Sequence, residues 1–529
     1  MKKILVGLSV AIATGMVSCI NEKIDSPDTP APLNDAYFTV TMTQSGNTRT
    51  ETGKEGSENP QADEKAINNL TLIFADQTGK VLAMSEKISE SITSTDGNGN
   101  AYTMTFKVLK SNMESLSGQT NVGVYVVANV DDLYYVYNKD NINKVMSIGD
   151  TDAGKYMNAS DGFLMSNANA VTIDEALPSD WSDYTKSSPY QIEDPIKLQR
   201  AMARFDVCNT VPTDENCKVN GISVNITDMY LLNLSKNFNL FKSVGDNTSG
   251  FKLFADETTT NFVHDPFAEQ KEGLTTNGSF STYFINPEAS TLPKDITNWT
   301  SISSLDKPDG DFSNKTGDES NTVTSEAGGK EYQIWRYVTP STVTDASKQL
   351  QGNMTAIVFK GELIKGTAEI SGWGENNMIA FDNVVYGNLA KVKSIAESPK
   401  NTAEAALANH YNNAKKNGED PSEEDLEKEG SFKVYKKNQD NKYFAYYYYW
   451  NRHNSGSGSA KDGVLSPMEF GVVRNNIYKL AVTKITGLGY PEDKVPDPSQ
   501  AIETKEIDGY IEVSVDIVPW EVRVTDIEF

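Results

Sequence analysis

From Phe38 the chain alternates, with Phe38, Val40 and Met42 apolar and Thr39, Thr41 and Thr43 between them. A period of two places the apolar set on one face of a pleated strand, so AYFTVTMTQ predicts a half-buried β-strand. The pattern stops at SGNTRT, which ends on Arg49 and Thr50 and leads into a polar run as far as Lys65. Alternation resumes at Leu70, Leu72 and Phe74, a turn follows at Asp76-Gln-Thr-Gly79, and Val81 begins a return strand. AYTMTFKVL is a further strand. NVGVYVVANV is continuously apolar and β-branched, the pattern of an interior strand covered on both faces. Strands separated by Gly, Asn and Asp turns predict an antiparallel sandwich.

A second series begins after the polar, Pro-containing run SDWSDYTKSSPYQIEDP, which places a domain boundary near residue 197. It includes QRAMARFDV, GISVNITDMYLLNL, EYQIWRYV, MTAIVFKGELI, KYFAYYYYWN and NIYKLAVTKITGL. One insertion departs from this pattern. NTAEAALANHYNNAKKNGED predicts a helix from Thr402 to about Lys416, stopped at Gly418 and followed by an acidic run that reads as a solvated excursion. At the far end Ile511, Val513, Val515 and Ile517 alternate with polar residues, and Trp520, Val522 and Val524 then alternate in the opposite phase. That inversion at Val518-Pro519 predicts a bulge, and Pro519 lacks the N–H that a central strand position needs.

The first residues change the picture. Lys2 and Lys3 precede an apolar core from Ile4 to about Val17, too short to span a bilayer, which is the layout of a signal peptide over residues 1–18. Met-Val-Ser-Cys19 resembles the lipobox of bacterial lipoproteins, which makes Cys19 the lipidated first residue of the exported chain. The Pro, Asp and Ser content of INEKIDSPDTPAPLND predicts a disordered tether between this anchor and the first strand. Strands therefore stand near both ends, each set apart by a polar or Pro-rich linker. Strand addition between subunits is one use of such an arrangement, and cutting at Arg49 would leave an open sheet edge. Pairing of each strand within its own domain is the other.

Across all 529 residues the formal net charge is -25, which repels phosphate backbones and argues against nucleic acid as a partner. Beyond Cys19 the chain has only Cys208 and Cys217, close enough for a disulfide across a short loop or present as two thiols. No catalytic constellation emerges. The histidines (His264, His410, His453) are far apart in sequence, and HExxH, nucleophile-elbow and phosphate-loop patterns are missing. DKPDGDFSNKTGDES and DGNGN lack full calcium-loop spacing and read as polar turns, so no metal or cofactor is expected. The aromatic run AYYYYWNRH could stack on sugar faces, but a strand that fills a core on one side and covers its sheet on the other explains it better.

PMEFGVVRNNIYKLAVTKITGLGYPED resembles the signature of the Bacteroidales fimbrial pilins, the type V pilins, most closely the shaft subunit branch of the minor fimbrium. The match includes Val473-Arg474-Asn475-Asn476-Ile477-Tyr478 and Gly489, and the terminal SVDIVPWEV, with Pro519-Trp520, is similar to that branch's ending. The resemblance implies a mostly β chain of two antiparallel, Greek-key, transthyretin-like β-sandwich domains with small helical insertions and a C-terminal donor strand. On this basis residues 19–49 are a lipidated propeptide with a removable strand, 50–197 and 198–498 the two sandwiches, and 499–529 a linker and donor strand.

The same resemblance implies export as an outer-membrane lipoprotein and cleavage after Arg49 by an Arg-specific trypsin-like protease, with Thr50 as the new N-terminus. The strand bearing Phe38, Val40 and Met42 is then replaced by the next subunit's C-terminal strand, which carries Ile511, Val513, Val515, Ile517, Trp520, Val522 and Val524. Implied partners are identical subunits in a head-to-tail filament, anchor and tip pilins, and host or bacterial surface ligands. The resulting function is structural: an extracellular fimbrial shaft supporting adhesion and biofilm formation. The alternatives are a tip or accessory adhesin of the same family and a monomeric glycan-binding surface lipoprotein.

Overall fold

The computed structural model describes residues 34–44, 63–97, 99–131, 141–143, 145–147, 162–208, 217–246, 250–253, 262–265, 267–268, 284–285, 299–302, 332–366, 369–453, 465–493, 497–502 and 510–519. Within them the alternating segments are strands, and the protein is mostly β with several sheets. The first sheet runs Val81–Met84, Leu70–Ala75, Val122–Ala128, Met165–Asn167, Tyr190–Arg200, Ala36–Gln44, Ala101–Val108 in spatial order. Its two ends approach each other, because Ser85 bridges Val108 and the Glu86 N–H donates to the Lys107 carbonyl at 2.8 Å. Such rolling leaves little open edge. The continuously apolar Val122–Ala128 lies inside this sheet, as its composition predicts.

Two sheets hold most of the strand residues described beyond Met202. One is ordered Gln333–Val338, Ala203–Val207, Asn476–Ile485, Ile511–Pro519; the other Lys218–Val219, Ile222–Leu232, Ala356–Lys365, Tyr443–Trp450. Phe205, Ile477 and Leu480 of the first share one apolar core with Val224, Ile357, Phe359 and Tyr447 of the second. This is the β-sandwich architecture that the sequence predicts. The tyrosine run serves packing on both faces. Tyr443, Ala445, Tyr447 and Tyr449 enter the main core, whereas Tyr448 and Trp450 enter a separate cluster with Leu232, Val358 and Phe470.

The chain passes from the first sheet to the second at Ala201-Met202, between the Tyr190–Arg200 and Ala203–Val207 strands. Cys208 and Cys217 are buried thiols in different surroundings, so the disulfide alternative is not realised. Cys208 packs with Tyr332 and Ala481, and Cys217 belongs to the main core.

The insertion before Tyr443 is more than a surface excursion. Strands Met378–Phe381, Val384–Gly387 and Phe432–Tyr435 make a small sheet, and helices Leu389–Glu397, Thr402–Asn413 and Glu423–Glu429 accompany it. Val392, Leu407, Tyr411 and Leu426 from the helices close a separate core over Ile379 and Val434. The acidic run, read from sequence as solvated chain, contains the last helix. Ser422 and Asp425 form a reciprocal capping box at its start, and Leu426 alone turns inward. A single apolar residue gives no periodicity to detect, which is why this helix was missed.

Candidate functional site

The first strand, Ala36–Gln44, is an interior strand of its sheet. It runs antiparallel to Ala101–Val108, with Phe38 opposite Phe106 and Thr41 opposite Thr103, and parallel to Tyr190–Arg200, with Phe38 opposite Tyr190 and Gln44 opposite Leu198. The parallel register shifts between Val40 and Met42. Ala36, Phe38, Val40 and Met42 are each 0% exposed. Phe38 sits in an aromatic nest, its ring centroid 4.8 Å from Phe74, 5.2 Å from Trp181 and 5.8 Å from Tyr190. Outward-facing threonines pair across the ladder, Thr39 with Thr105 at 3.1 Å and Thr41 with Thr103 at 3.4 Å.

The alternation continues one step further than the apolar residues do. Gln44 takes the next inward position, and its side chain lies among buried polar groups. Its Nε2 donates to the Lys65 carbonyl at 2.8 Å, its N–H to the Asn100 carbonyl at 2.9 Å, and its Oε1 accepts from Arg200 Nη2 at 3.0 Å. Arg200 also donates through Nε and Nη2 to the Glu64 carbonyl at 3.0 and 2.8 Å. Burial pushes this guanidinium down to about 10.

Glu64 carries the cluster into the second half. Both its carboxylate oxygens accept from Arg204 Nη1, at 3.0 and 3.1 Å, and Oε1 accepts from the Tyr337 hydroxyl at 2.6 Å. Arg204 pairs a second time, Nε and Nη2 donating to the two oxygens of Asp206 at 2.8 and 2.7 Å. Burial, reinforced by the Glu64 charge, holds the Tyr337 hydroxyl well above the usual tyrosine range. Fully buried charges are tolerable only when paired and hydrogen-bonded in this way. Asn475 closes the junction from the other side, its Oδ1 accepting from the Arg200 N–H at 3.0 Å and its N–H donating to the Met202 carbonyl at 2.7 Å. The neighbouring Arg474 donates to the Leu240 carbonyl at 3.0 Å. The signature VRNNIY is thus a stitch where the chain changes sheets.

Among the described residues the C-terminal strand, Ile511–Pro519, lies at the end of its sheet and pairs antiparallel with Asn476–Ile485. Ile511, Val513, Val515 and Ile517 stand opposite Ile485, Val482, Leu480 and Tyr478. The ladder's irregularity falls between Val482 and Lys484 on the partner strand, while the bulge expected at Val518-Pro519 does not interrupt it: both residues remain paired, to Ile477 and Asn476. Val513 is partly buried against the main core. Tyr510 roots the strand. A side chain on Gly487 would run into its ring, at 2.0 Å, and Lys433 Nζ lies 4.1 Å from the ring centroid. Gly489 allows a second close approach, since a Cβ there would meet the Tyr446 carbonyl at 2.5 Å.

The structure thus places Phe38, Val40 and Met42 on one inward face and puts the Ile511–Pro519 strand in a different sheet. Cys19, Arg49, Thr50, Trp520, Val522 and Val524 lie outside the described residues, as does the Asp306 to Ser320 run. The loop at Asp96 is a polar turn, with the Asn100 N–H donating to its carboxylate at 3.1 Å. In the inserted unit Glu429 and Ser431 both meet His410 at the same ring nitrogen, Nδ1, at 2.7 and 3.0 Å. A relay needs a base and an orienting group on opposite nitrogens, so this contact is structural. Sequence reading missed Gln44, Glu64, Arg200, Arg204, Asp206 and Tyr337. The available signal was two arginines and an aspartate within the strand-forming stretch QRAMARFDV.

Comparison with known families gives two matches. Residues 36–200 match the major fimbrial subunit protein (FimA) model, and residues 441–526 match the C-terminal model of the type IV major fimbrial subunit protein, fimbrillin. No curated protein sequence matches. Among solved structures the chain is similar to a fimbrilin (FimA) from Porphyromonas gingivalis W83, with 16% identity and a TM-score of 0.40, over 92% of this chain and 98% of that one. It is also similar to the tip fimbrial protein Mfa3 from Porphyromonas gingivalis, with 12% identity and a TM-score of 0.34, over 92% of this chain and 100% of that one.

Proposed function

We propose that this chain, which belongs to the fimbrial subunits whose family models match it at both ends, is a shaft subunit that polymerises by strand exchange. The precursor is exported with a lipid on Cys19. An Arg-specific trypsin-like protease cuts after Arg49, and the strand carrying Phe38, Val40 and Met42 departs with the anchor. The next subunit's C-terminal segment then enters the vacated place. Head-to-tail contacts of this kind do not close, and they generate a filament. Anchor and tip pilins are the other expected partners, and surface ligands the expected targets.

One observation carries the reading: the first strand is hydrogen-bonded on both sides, so its loss opens a groove flanked by Ala101–Val108 and Tyr190–Arg200. Burying each of its larger apolar side chains is worth about 1.5–3 kcal/mol, and an incoming strand recovers that term. Seating of Ile511–Pro519 in its own sheet equally suits a monomeric surface lipoprotein. The two readings part on cleavage. Purified precursor treated with an Arg-specific protease should form filaments visible by electron microscopy, with Thr50 at their N-termini, while Arg49→Ala should stay monomeric. Cut protein that remains monomeric would remove the shaft assignment.

A further inference from the structure

We infer that Lys433 is an acylation site, its Nζ accepting the acyl group of a small neutral thioester. The site belongs to the inserted unit and the segment packed on it, and its chemistry is independent of strand exchange.

Lys433 lies in the strand Phe432–Tyr435, opposite Ala380, and its side chain reaches the segment that follows Asn476–Ile485. Nζ donates to the Leu488 carbonyl and stands 4.1 Å from the Tyr510 ring centroid and 5.6 Å from that of Tyr490. That segment is firmly held. The Leu488 N–H donates to Asn383 Oδ1 at 3.0 Å, the Tyr435 hydroxyl donates to the Gly489 carbonyl at 2.7 Å, and Tyr490 and Tyr446 exchange backbone hydrogen bonds at 2.8 Å. The titratable groups around the amine are therefore tyrosines: Tyr490, Tyr510 and, on its own strand, Tyr435. Glu492 of the same segment pairs with Lys436 instead, at 3.4 Å.

Other lysines of the chain are held as ammonium ions by carboxylates. Asp35 at 3.1 Å from Lys107 and Glu362 at 2.8 Å from Lys442 raise both above the usual lysine range. At Lys433 burial acts without a charged partner to oppose it, and the amine falls to about 8. A desolvated lysine that has lost its proton is the nucleophilic form. The residue is half-buried, so a small reagent can reach it. In the transfer the Nζ–C bond forms, the C–S bond breaks, and one Nζ proton leaves with the thiolate as a thiol. The amide product carries no charge to bury and keeps one N–H for the Leu488 carbonyl, whereas an imine formed from an aldehyde would keep none. Its flat acyl group suits the face of Tyr510. Acyl phosphates are repelled by a chain of formal net charge -25, which favours the neutral thioester.

The test treats the uncut full chain with S-acetyl-N-acetylcysteamine and follows initial acetylation rates at each lysine by peptide mass spectrometry. At about pH 7.5 roughly a quarter of Lys433 is neutral, against about a thousandth of an ordinary lysine. Lower basicity also weakens the nucleophile, so Lys433 should react about tenfold faster than Lys107 and Lys442. Its rate should level off above about pH 8.5 while theirs keep rising. The advantage should vanish in urea, and Lys433→Arg should remove the fast site. Acetylation of Lys433 no faster than that of Lys107 and Lys442 in the folded chain, an advantage that persists in urea, or a fast site that survives Lys433→Arg would each overturn the assignment. Acetyl phosphate supplies the second arm. It should show a smaller preference for Lys433, and an equal or larger one would overturn the choice of a thioester.

Discussion

The strands near the two ends of this chain have nearly the same composition of alternating apolar residues, yet the fold treats them oppositely. Ala36–Gln44 is enclosed by ladders on both sides, whereas among the described residues Ile511–Pro519 has a ladder partner on one side and ends its sheet. The first has four fully buried apolar side chains and the second a half-buried Val513. In the proposed assembly full burial does not make a strand permanent: the doubly paired strand is the one that leaves, because only an interior position vacates a groove with hydrogen-bonding edges on both sides.

The contrast can be broken most severely at the junction between the halves. Arg204→Leu strands Glu64 and Asp206 as buried carboxylates, and the expected loss is about 3–5 kcal/mol in chemical denaturation, in uncut and cut protein alike. An unchanged midpoint would mean that the cluster is not what joins the sheets. Next comes the direct comparison of the two strands. Phe38→Ala should cost the uncut precursor about 3–5 kcal/mol and have no effect on filaments made from cut protein, from which residue 38 is gone. Val513→Ala should cost roughly 1 kcal/mol in both forms, since that side chain is half-buried and remains in the subunit. Similar losses for both changes in the precursor would erase the distinction drawn here.

A pH-dependent effect concerns the root of the C-terminal strand. Burial lowers Lys433 to about 8, from an ordinary lysine value near 10.5. Between these values the unfolded chain holds the proton that the folded one has released, so stability rises with pH across about 8 to 10.5 and the full penalty applies below 8. Lys433→Met should therefore stabilise the protein at pH 7, by an amount that shrinks toward pH 10 in urea melts at each pH. A difference that grows with pH would reverse the assignment.

Alternation made the strands legible, whereas VRNNIY and GLGY were legible only as a resemblance, and the fold showed that the first stitches the change of sheet and the second allows close backbone approach. Nothing in the alternation separated an interior from an end strand, because both require one apolar face. Gln44 is the clearest case. It continues the inward phase of Phe38, Val40 and Met42, but a polar residue after an apolar run reads as the end of a strand until Arg200, distant in sequence, is placed 3.0 Å away. The helix at Glu423–Glu429 was hidden for the complementary reason, since its one inward residue, Leu426, contributes to a core assembled from other segments.

By itself the sequence determined the β class, the existence of alternating strands near both ends, the unusual phase inversion at Pro519 and the resemblance to fimbrial pilins, all properties of local period and motif. Tertiary structure alone decided that the first strand is interior, that Ile511–Pro519 sits at home, and that Glu64, Arg200, Arg204, Asp206 and Tyr337 form one buried cluster. These facts depend on which distant segments meet, and pairing between strands that are far apart along the chain leaves no trace in the period of either one.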